Sequence, residues 1–462
     1  MTAYRADPVI LDIEDAIAVP VVPAVFPTAK LRFRNDAAAA EIGLAELGDD
    51  EWLGHFGRFR PLPDNLTAPL ALAYHGHQFR HYNPEIGDGR GFLFAQIRDT
   101  RGRLMDLGTK GSGTTPYSRT GDGRLTLKGA VREILATEML AALGVETSRT
   151  FSVVETGEAL MRGDEPSPTR SAVLVRFSHG HIRYGTFQRL AYLEDRNGLE
   201  RLVDYCLAHF IPGAEAGEDR YAALFDHAVS GAARLAASYR AAGFVHGVLN
   251  TDNINITGES FDYGPWRFAP RWDDGFTAAY FDHGGLYAFG RQAEALQWNV
   301  HQLALALRTV APADSLIPAL KAFPDRYEAA LTTAMLARLG IAAGKHEDDK
   351  RLVAAWEAAL AGSEIEPDRA FFDWRGGRRR HDHPAYDTPA FEPFVKAVAD
   401  REAYAGALDS PYWSDSAPCS LLIDEVETLW ASIADTDDWT PLQTKVESIR
   451  RMGAAHDCCE RI

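Results

Sequence analysis

The stretch HGVLNTDNINITGESFDYG, residues 246–264, decides how the chain is read. Phosphotransferases that use a loop of this kind place a catalytic Asp two residues after the His. A metal-binding Asn follows five residues later, and a second metal ligand sits in an Asp-x-Gly turn beyond a short hairpin. Here His246 and Gly247 are followed by Val248, so the first carboxylate is missing. Asn253 still stands five positions after Val248, and Asp262-Tyr263-Gly264 supplies the later turn. Asn253 and Asp262 offer oxygen donors suited to Mg2+ or Mn2+, hard ions that share their shell with phosphates and water. Asp252 can either take a proton from an incoming hydroxyl or brace its loop through the backbone. Spacing alone leaves both readings open.

Working outward, the elements on either side fit a two-lobed enzyme. FLFAQIRD and RLMDLGTK are short apolar runs joined by the turn-like Thr100-Arg101-Gly102, which predicts a hairpin. LTLKGAVREILATEMLAALG has helical periodicity and stops at Gly144, and FSVVETGEALMR and SAVLVRFS read as strands again. From about Leu190 onward the chain is mostly helical, and one long amphipathic stretch ends at Gly243, directly before the quoted loop. The expected fold is therefore α+β, a protein-kinase-like arrangement of two lobes. We divide it into an N-terminal extension over 1–69, a small lobe over 70–185, and a helical large lobe with a C-terminal extension over 186–462. The Arg-rich stretch DRAFFDWRGGRRRHDHPAYD reads as an exposed loop with a solvated RRRH run.

Bulk properties exclude several classes. At 462 residues with 46% hydrophobic and 24% charged residues the chain is ordinary globular protein, and a net charge of −17 argues against a general nucleic-acid binder. No apolar run is long enough for a transmembrane helix, and the acidic N-terminus lacks the order of a signal peptide or presequence, so the expectation is a cytoplasmic protein with no membrane partner. Cys206, Cys419, Cys458 and Cys459 form neither a disulfide framework nor a metal pair. Cys458 and Cys459 read as exposed thiols, with a redox role as the alternative.

Several residues suit a nucleotide. GDGRG puts Gly87 and Gly89 around Asp88 and next to Arg90, just before a strand, where backbone N–H groups and a guanidinium can approach phosphate. Between Lys30 and Lys321 only Lys110 and Lys128 occur. Lys110 ends a strand, and the helix after it carries Glu133, the Lys–Glu arrangement that positions ATP phosphates. Glu138 is a competing partner on the same helix. Asp122 and Gly123 form a second Gly-Asp-Gly-Arg turn that either holds another part of the nucleotide or caps the following helix. Arg176 and Arg183 flank a His-Gly-His turn and can converge on one anion. His179 and His181, like His75 and His77, lack a third ligand at zinc spacing.

Taken together, YHGHQF, GDGRG, TKGSGTTPYSR, GDGR, VREILATEML, VLVRFSHGHIRYGTFQ, HGVLNTDN, FDYGPW and FDHGGLYAFGRQ resemble the selenoprotein O family, known in bacteria as YdiU, over roughly residues 70–292. The resemblance implies a pseudokinase fold that works as a protein adenylyltransferase. It implies ATP bound in the inverted sense, with AMP passing from the α-phosphate to Ser, Thr or Tyr hydroxyls of proteins, the enzyme itself included. UTP with Mn2+ is an alternative donor. Carried over motif by motif, Asp252 becomes the catalytic proton acceptor. Gly87, Gly89, Arg90, Lys110, Asp122, Gly123, Arg176, Arg183 and Asp262 contact the nucleotide, Glu133 pairs with Lys110, and Asn253 and Asp262 hold the metal. The chain departs from the family pattern at TKGSG-Thr for LKGAG-Pro, at Arg80 after GHQF, at Gln292-Ala293, and at the loosely matching Cys458-Cys459-Glu460. Two other readings are a small-molecule phosphotransferase and a silent ATP-binding scaffold; Val248 counts against the first, and a base beside both metal ligands against the second.

Overall fold

Burial on both faces explains why the central strands are apolar throughout rather than alternating. In the computed structural model, which describes residues 3–163, 165–211 and 219–457, strand β10 (Thr169–Ser178) shows this most clearly. Its Val173, Val175 and Phe177 enter an aromatic core with Trp52, Phe94 and Phe151, while Ala172 and Leu174 face Ile134 and Leu135 of the Leu127–Ala142 helix. The other strands of the small lobe and its N-terminal extension are β1 (Ala18–Pro20), β2 (Lys30–Arg34), β3 (Leu70–Leu72), β4 (Gly76–Gln78), β5 (His81–Asn83), β6 (Leu93–Arg98), β7 (Leu104–Lys110), β8 (Leu125–Thr126) and β9 (Arg149–Leu160). The main antiparallel sheet runs β1-β3-β6-β7-β10-β9-β2, with β8 also on β10, while β4 and β5 form a separate hairpin. The β6–β7 turn is the expected one: Gly102 has φ +78° and Asp99 Oδ1 accepts from the amides of Arg101 and Arg103 at 2.9 and 2.8 Å.

The first 69 residues contribute both end strands of this sheet, β1 and β2. Their helix Asp49–Phe56 closes the aromatic face. Trp52 stacks on Phe151 with centroids 4.8 Å apart and donates to Ser152 Oγ at 2.9 Å. Burying a side chain of this size stabilises the lobe by roughly 2–3 kcal/mol.

In the helical lobe, the Arg220–Ala242 helix starts at Asp219, whose side chain accepts from the Ala222 amide, and ends at Gly243 in the left-handed conformation, φ 68°. That reversal feeds Phe244–Val245 directly into the loop at His246. The C-terminal helices Ile423–Thr436 and Thr440–Asp457 return to the small lobe, where Glu138 binds Arg450 at 2.6 Å and Lys128 binds Glu427 at 2.6 Å. Glu138 is thus engaged away from Lys110.

The Arg-rich stretch differs from the expected exposed loop. Pro367–Asp373 is helical and Arg375 is fully buried. Its guanidinium donates to the carbonyls of Ala337 and Arg338 at 2.7 and 2.9 Å, at the end of the Phe323–Leu339 helix, and lies over Trp413. Helix C-terminal carbonyls lack intrahelical donors, and a planar cation that also stacks on indole satisfies them better than water can reach them. Among the described residues no helix is long and apolar enough to cross a membrane.

Candidate active site

Strand register places the first charges. Lys110 of β7 lies opposite Leu174 of β10, and Gly108 lies opposite Arg176, so the period of two puts Lys110 and Arg176 on one face of the sheet. The Leu127–Ala142 helix brings Glu133 to that face, where its carboxylate accepts from Lys110 Nζ at 2.6 Å and from Arg176 at 3.0 Å. Gly108 also makes room: a Cβ there would sit 2.5 Å from His181 Nε2.

The chain of charges continues across the cleft. Arg176 and Arg183 both reach Asp262, at 2.7 and 3.1 Å, and Arg183 also approaches Asp88 at 3.4 Å. Burial opposes charge on Asp262, but Arg176, Arg183 and Lys110 outweigh it and hold this carboxyl well below the usual carboxylate range. The two arginines do converge on an anion, and it is the protein's own. Lys110, Arg176 and Arg183 against Glu133, Asp262 and Asp88 form a balanced set of three cations and three carboxylates. A triphosphate entering it requires more positive charge; Arg90, Arg119, Arg124 and Arg162 line the same cleft, whose volume is about 750 Å3.

The glycine turn is packed too closely for side chains. A Cβ on Gly87 would lie 2.4 Å from Tyr117 Cγ, and one on Gly89 3.0 Å from the Tyr117 carbonyl. Thr115 and Ser118 donate to the carbonyls of Asp88 and Gly89 at 2.6 and 2.5 Å, and the Gly111 amide takes the Arg90 carbonyl at 2.6 Å. The amides of Gly89 and Arg90 donate to no partner among the described residues and remain for an anion. In the second turn Asp122 binds Arg162 at 2.8 Å and the Arg124 amide at 2.9 Å. It does not cap the following helix, whose N-cap is Thr126.

The quoted loop supplies the remaining groups. His246 is buried and its Nε2 meets the Phe261 carbonyl at 2.9 Å, which ties the loop to the Asp262 turn. Asn253 donates its amide N–H to the Val248 carbonyl at 3.0 Å, leaving its Oδ1 without a hydrogen bond among the described residues at the edge of the cleft. Asp262 keeps free lone pairs beside its arginine contacts, so an amide oxygen and an ionised carboxylate stand at one cleft, a donor set that fits Mg2+ or Mn2+. Such an ion would supply the charge neutralisation that the balanced protein set lacks for phosphate. Asp252 is buried on the same cleft with no partner for its Oδ1 among the described residues; burial pushes it up to about 7, against the pull of its own amide and of Arg183.

The residues assigned by sequence to nucleotide, metal and proton transfer line this cleft, and Glu133 touches Lys110, which does; Cys458 and Cys459 lie outside the described residues. Motif reading passed over Asp88 as a ligand, although its place between Gly87 and Gly89 was a signal, and it overlooked Tyr117 and Gln78. Of the histidines, His181 faces Asp106 at 3.2 Å, His77 meets Gln188 at 2.8 Å, His75 meets the Tyr82 hydroxyl at 2.8 Å and His179 the Leu104 carbonyl at 2.8 Å.

A neighbouring carboxyl gives a pH-dependent stability. Glu259 accepts from the His179 amide at 2.9 Å, and burial raises it from 4.5 to about 7. A carboxyl raised on folding penalises its charged form, so the native state loses stability as pH climbs from the unfolded value toward 7 and is flat above. Glu259→Gln keeps an acceptor for His179 and removes that loss. Thermal melts should show the variant stabilised by on the order of 2 kcal/mol at pH 8 and by nothing at pH 4.

The chain is similar to known proteins over most of its length. A family model described as "Protein adenylyltransferase SelO" matches residues 2–385. The chain is 46% identical over 455 residues to a protein nucleotidyltransferase YdiU of Gloeobacter violaceus, covering 93% of this chain and 92% of that one. It is 42% identical over 457 residues to the protein of the same name from Synechocystis sp., covering 93% and 94%. Among solved structures, a kinase domain of a Toxoplasma gondii rhoptry antigen aligns at 12% identity over 72% of this chain and 83% of that one, with a TM-score of 0.27.

Proposed function

Because the chain belongs to the SelO family of protein adenylyltransferases, we propose that it transfers AMP from ATP to Ser, Thr or Tyr hydroxyls of protein acceptors, its own included, with UTP as an alternative donor. The carrying observation is the exchange inside the loop. Val248, at the usual base position, offers no proton acceptor, while Asp252 lies buried on the cleft with an unpartnered Oδ1. In this reading the α-phosphate faces Asp252. The acceptor oxygen attacks the α-phosphorus as its proton passes to Asp252, the bond to the bridging oxygen breaks, and pyrophosphate leaves.

The rest of the cleft then works by position and charge. Lys110, held by Glu133, and Arg176 and Arg183, held by Asp262, bind phosphate oxygens. Gly87, Gly89 and Arg90 cradle the phosphates through backbone and guanidinium, and Asp122 and Gly123 border the nucleotide. Asn253 and Asp262 hold Mg2+ or Mn2+.

Parallel incubation with ATP labelled at the α- or γ-phosphate, and with α-labelled UTP, tests this. The expected result is covalent α-label and no γ-label on the protein. Covalent γ-label would mean phosphotransfer, and ATP binding with no label from either position, on the chain or on candidate acceptors, would favour a silent scaffold.

A further inference from the structure

Four arginines line the cleft beyond the balanced set of Lys110, Arg176 and Arg183, and two of them are already paired. Arg124 binds Glu158 at 2.7 Å and Arg162 binds Asp122 at 2.8 Å. Arg90 and Arg119 make no side-chain hydrogen bond or ion pair among the described residues. Of the lining carboxylates among the described residues, Asp252 alone stands outside these pairs, and in the proposed reading it serves the acceptor hydroxyl. The positive charge left for an incoming anion is therefore that of Arg90 and Arg119.

Arg119 sits on a loop tied to the glycine turn. The Gly113 amide donates to the Gly123 carbonyl at 3.1 Å and closes the loop at its base. Inside it, Thr115 and Ser118 hold the Asp88 and Gly89 carbonyls, and Ser118 Oγ also accepts from the Thr115 amide at 2.8 Å. A Cβ on Gly89 would lie 3.5 Å from Ser118 Cα, so Arg119 begins one peptide unit from the turn whose Gly89 and Arg90 amides are free. The Gly121 amide donates to the Ser118 carbonyl at 2.7 Å, which makes 118–121 a tight turn with Arg119 at its first central position, φ 52°. Left-handed backbone there favours glycine. Arg80 is also left-handed, at φ 64°, but its guanidinium is bound by Glu294 at 3.0 Å and lies over Trp298. Arg119 keeps a strained backbone and an exposed cation beside the cleft, and no contact among the described residues accounts for either.

We propose that Arg119 is a ligand for the phosphate chain of the nucleotide: together with Arg90 and the free amides of the glycine turn, it supplies the positive charge that the balanced set does not. A guanidinium presents parallel N–H groups to phosphate oxygens, and the turn fixes where this one leaves the loop. This rests on the reading of the cleft as a nucleoside triphosphate site, and adds to that site a residue from the 113–123 loop.

The test is calorimetric binding of ATP and of inorganic triphosphate, each with Mg2+, to the full chain and to its Arg119→Gly and Arg119→Lys variants, with the melting temperature of each protein measured without ligand. Arg119→Gly should weaken ATP about tenfold or more, the loss of a charge-assisted contact, and should weaken inorganic triphosphate by a similar factor. Its melting temperature should be no lower than the parent's, because glycine accepts the left-handed turn without strain. Arg119→Lys keeps the charge and loses the planar fork, so its affinities should fall between those of the parent and Arg119→Gly. ATP affinity within twofold of the parent in Arg119→Gly would overturn the proposal. So would a loss confined to ATP, which would turn Arg119 toward the nucleoside, and so would a loss accompanied by a lowered melting temperature, which would make its role structural. A parent chain that binds neither ATP nor triphosphate would instead remove the underlying reading, and the proposal with it.

Discussion

Asp252→Asn should slow AMP transfer roughly a thousandfold, within the range that general base catalysis contributes, while ATP affinity changes by less than about threefold. The replacement has nearly the same shape, so the packing of Gly76 against this side chain survives. It cannot take a proton. The charge set that grips phosphate is built from Lys110, Arg176, Arg183 and Asp262 and is left whole. Single-turnover kinetics with α-labelled ATP and calorimetric binding give the two numbers separately. Adding Val248→Asp to this variant should not restore AMP transfer, because position 248 is where a base serves the opposite end of the triphosphate. Recovery of AMP transfer there would place the α-phosphate wrongly in the proposed geometry.

The parts of this site that sequence exposed are those fixed by short-range rules. Lys110 and Glu133 could be paired on paper because a strand end and the helix after it meet in few ways, and the pair closes at 2.6 Å. The loop from His246 to Asp262 was legible for the same reason: its ligands sit at fixed offsets on one continuous backbone. What stayed hidden depends on contacts between distant segments. Nothing local says that Glu138 is taken by Arg450, 312 residues later, or that Arg375 fills the end of a helix instead of facing water. The convergence of Arg176 and Arg183 was foreseen, but not that Asp262 occupies them both. That carboxylate comes from the other lobe, and no spacing in the sequence encodes its approach.

The same charge set ties the two lobes together across the cleft. Asp262 and Arg183 belong to segments 79 residues apart, yet each completes the other's charge, and Glu133 and Asp88 extend the pairing to the helix and the glycine turn. Buried ions persist only when paired and hydrogen bonded. In the proposed reading the phosphates meet cations that the protein's own carboxylates hold in position. Preorganisation of this kind lowers the reorganisation needed during transfer. It also means that a change to one member of the set is felt by the others.

Lys110→Met is the variant in which that coupling is largest. It leaves Glu133 shared with Arg176 alone and turns a balanced set of charges into one with a net negative charge, next to the space where a triphosphate must bind. Breaking one side of a buried, hydrogen-bonded pair typically costs 3–5 kcal/mol in stability, and losing a charge contact to a ligand of this kind costs about 2–5 kcal/mol in binding. ATP affinity should fall at least about thirtyfold, by the lower of those figures, with a clear drop in melting temperature. Stability and binding can then be separated by adding Glu133→Gln. The double variant removes the carboxylate's excess negative charge as well as the ammonium, so it should recover much of the lost stability. It still lacks the cation that meets phosphate, so ATP affinity should remain low. If affinity returned with stability, Lys110 would be a structural partner of Glu133 and the phosphates would be held by the arginines alone. If neither returned, the Glu133 contact to Arg176 would be the interaction on which the cleft depends.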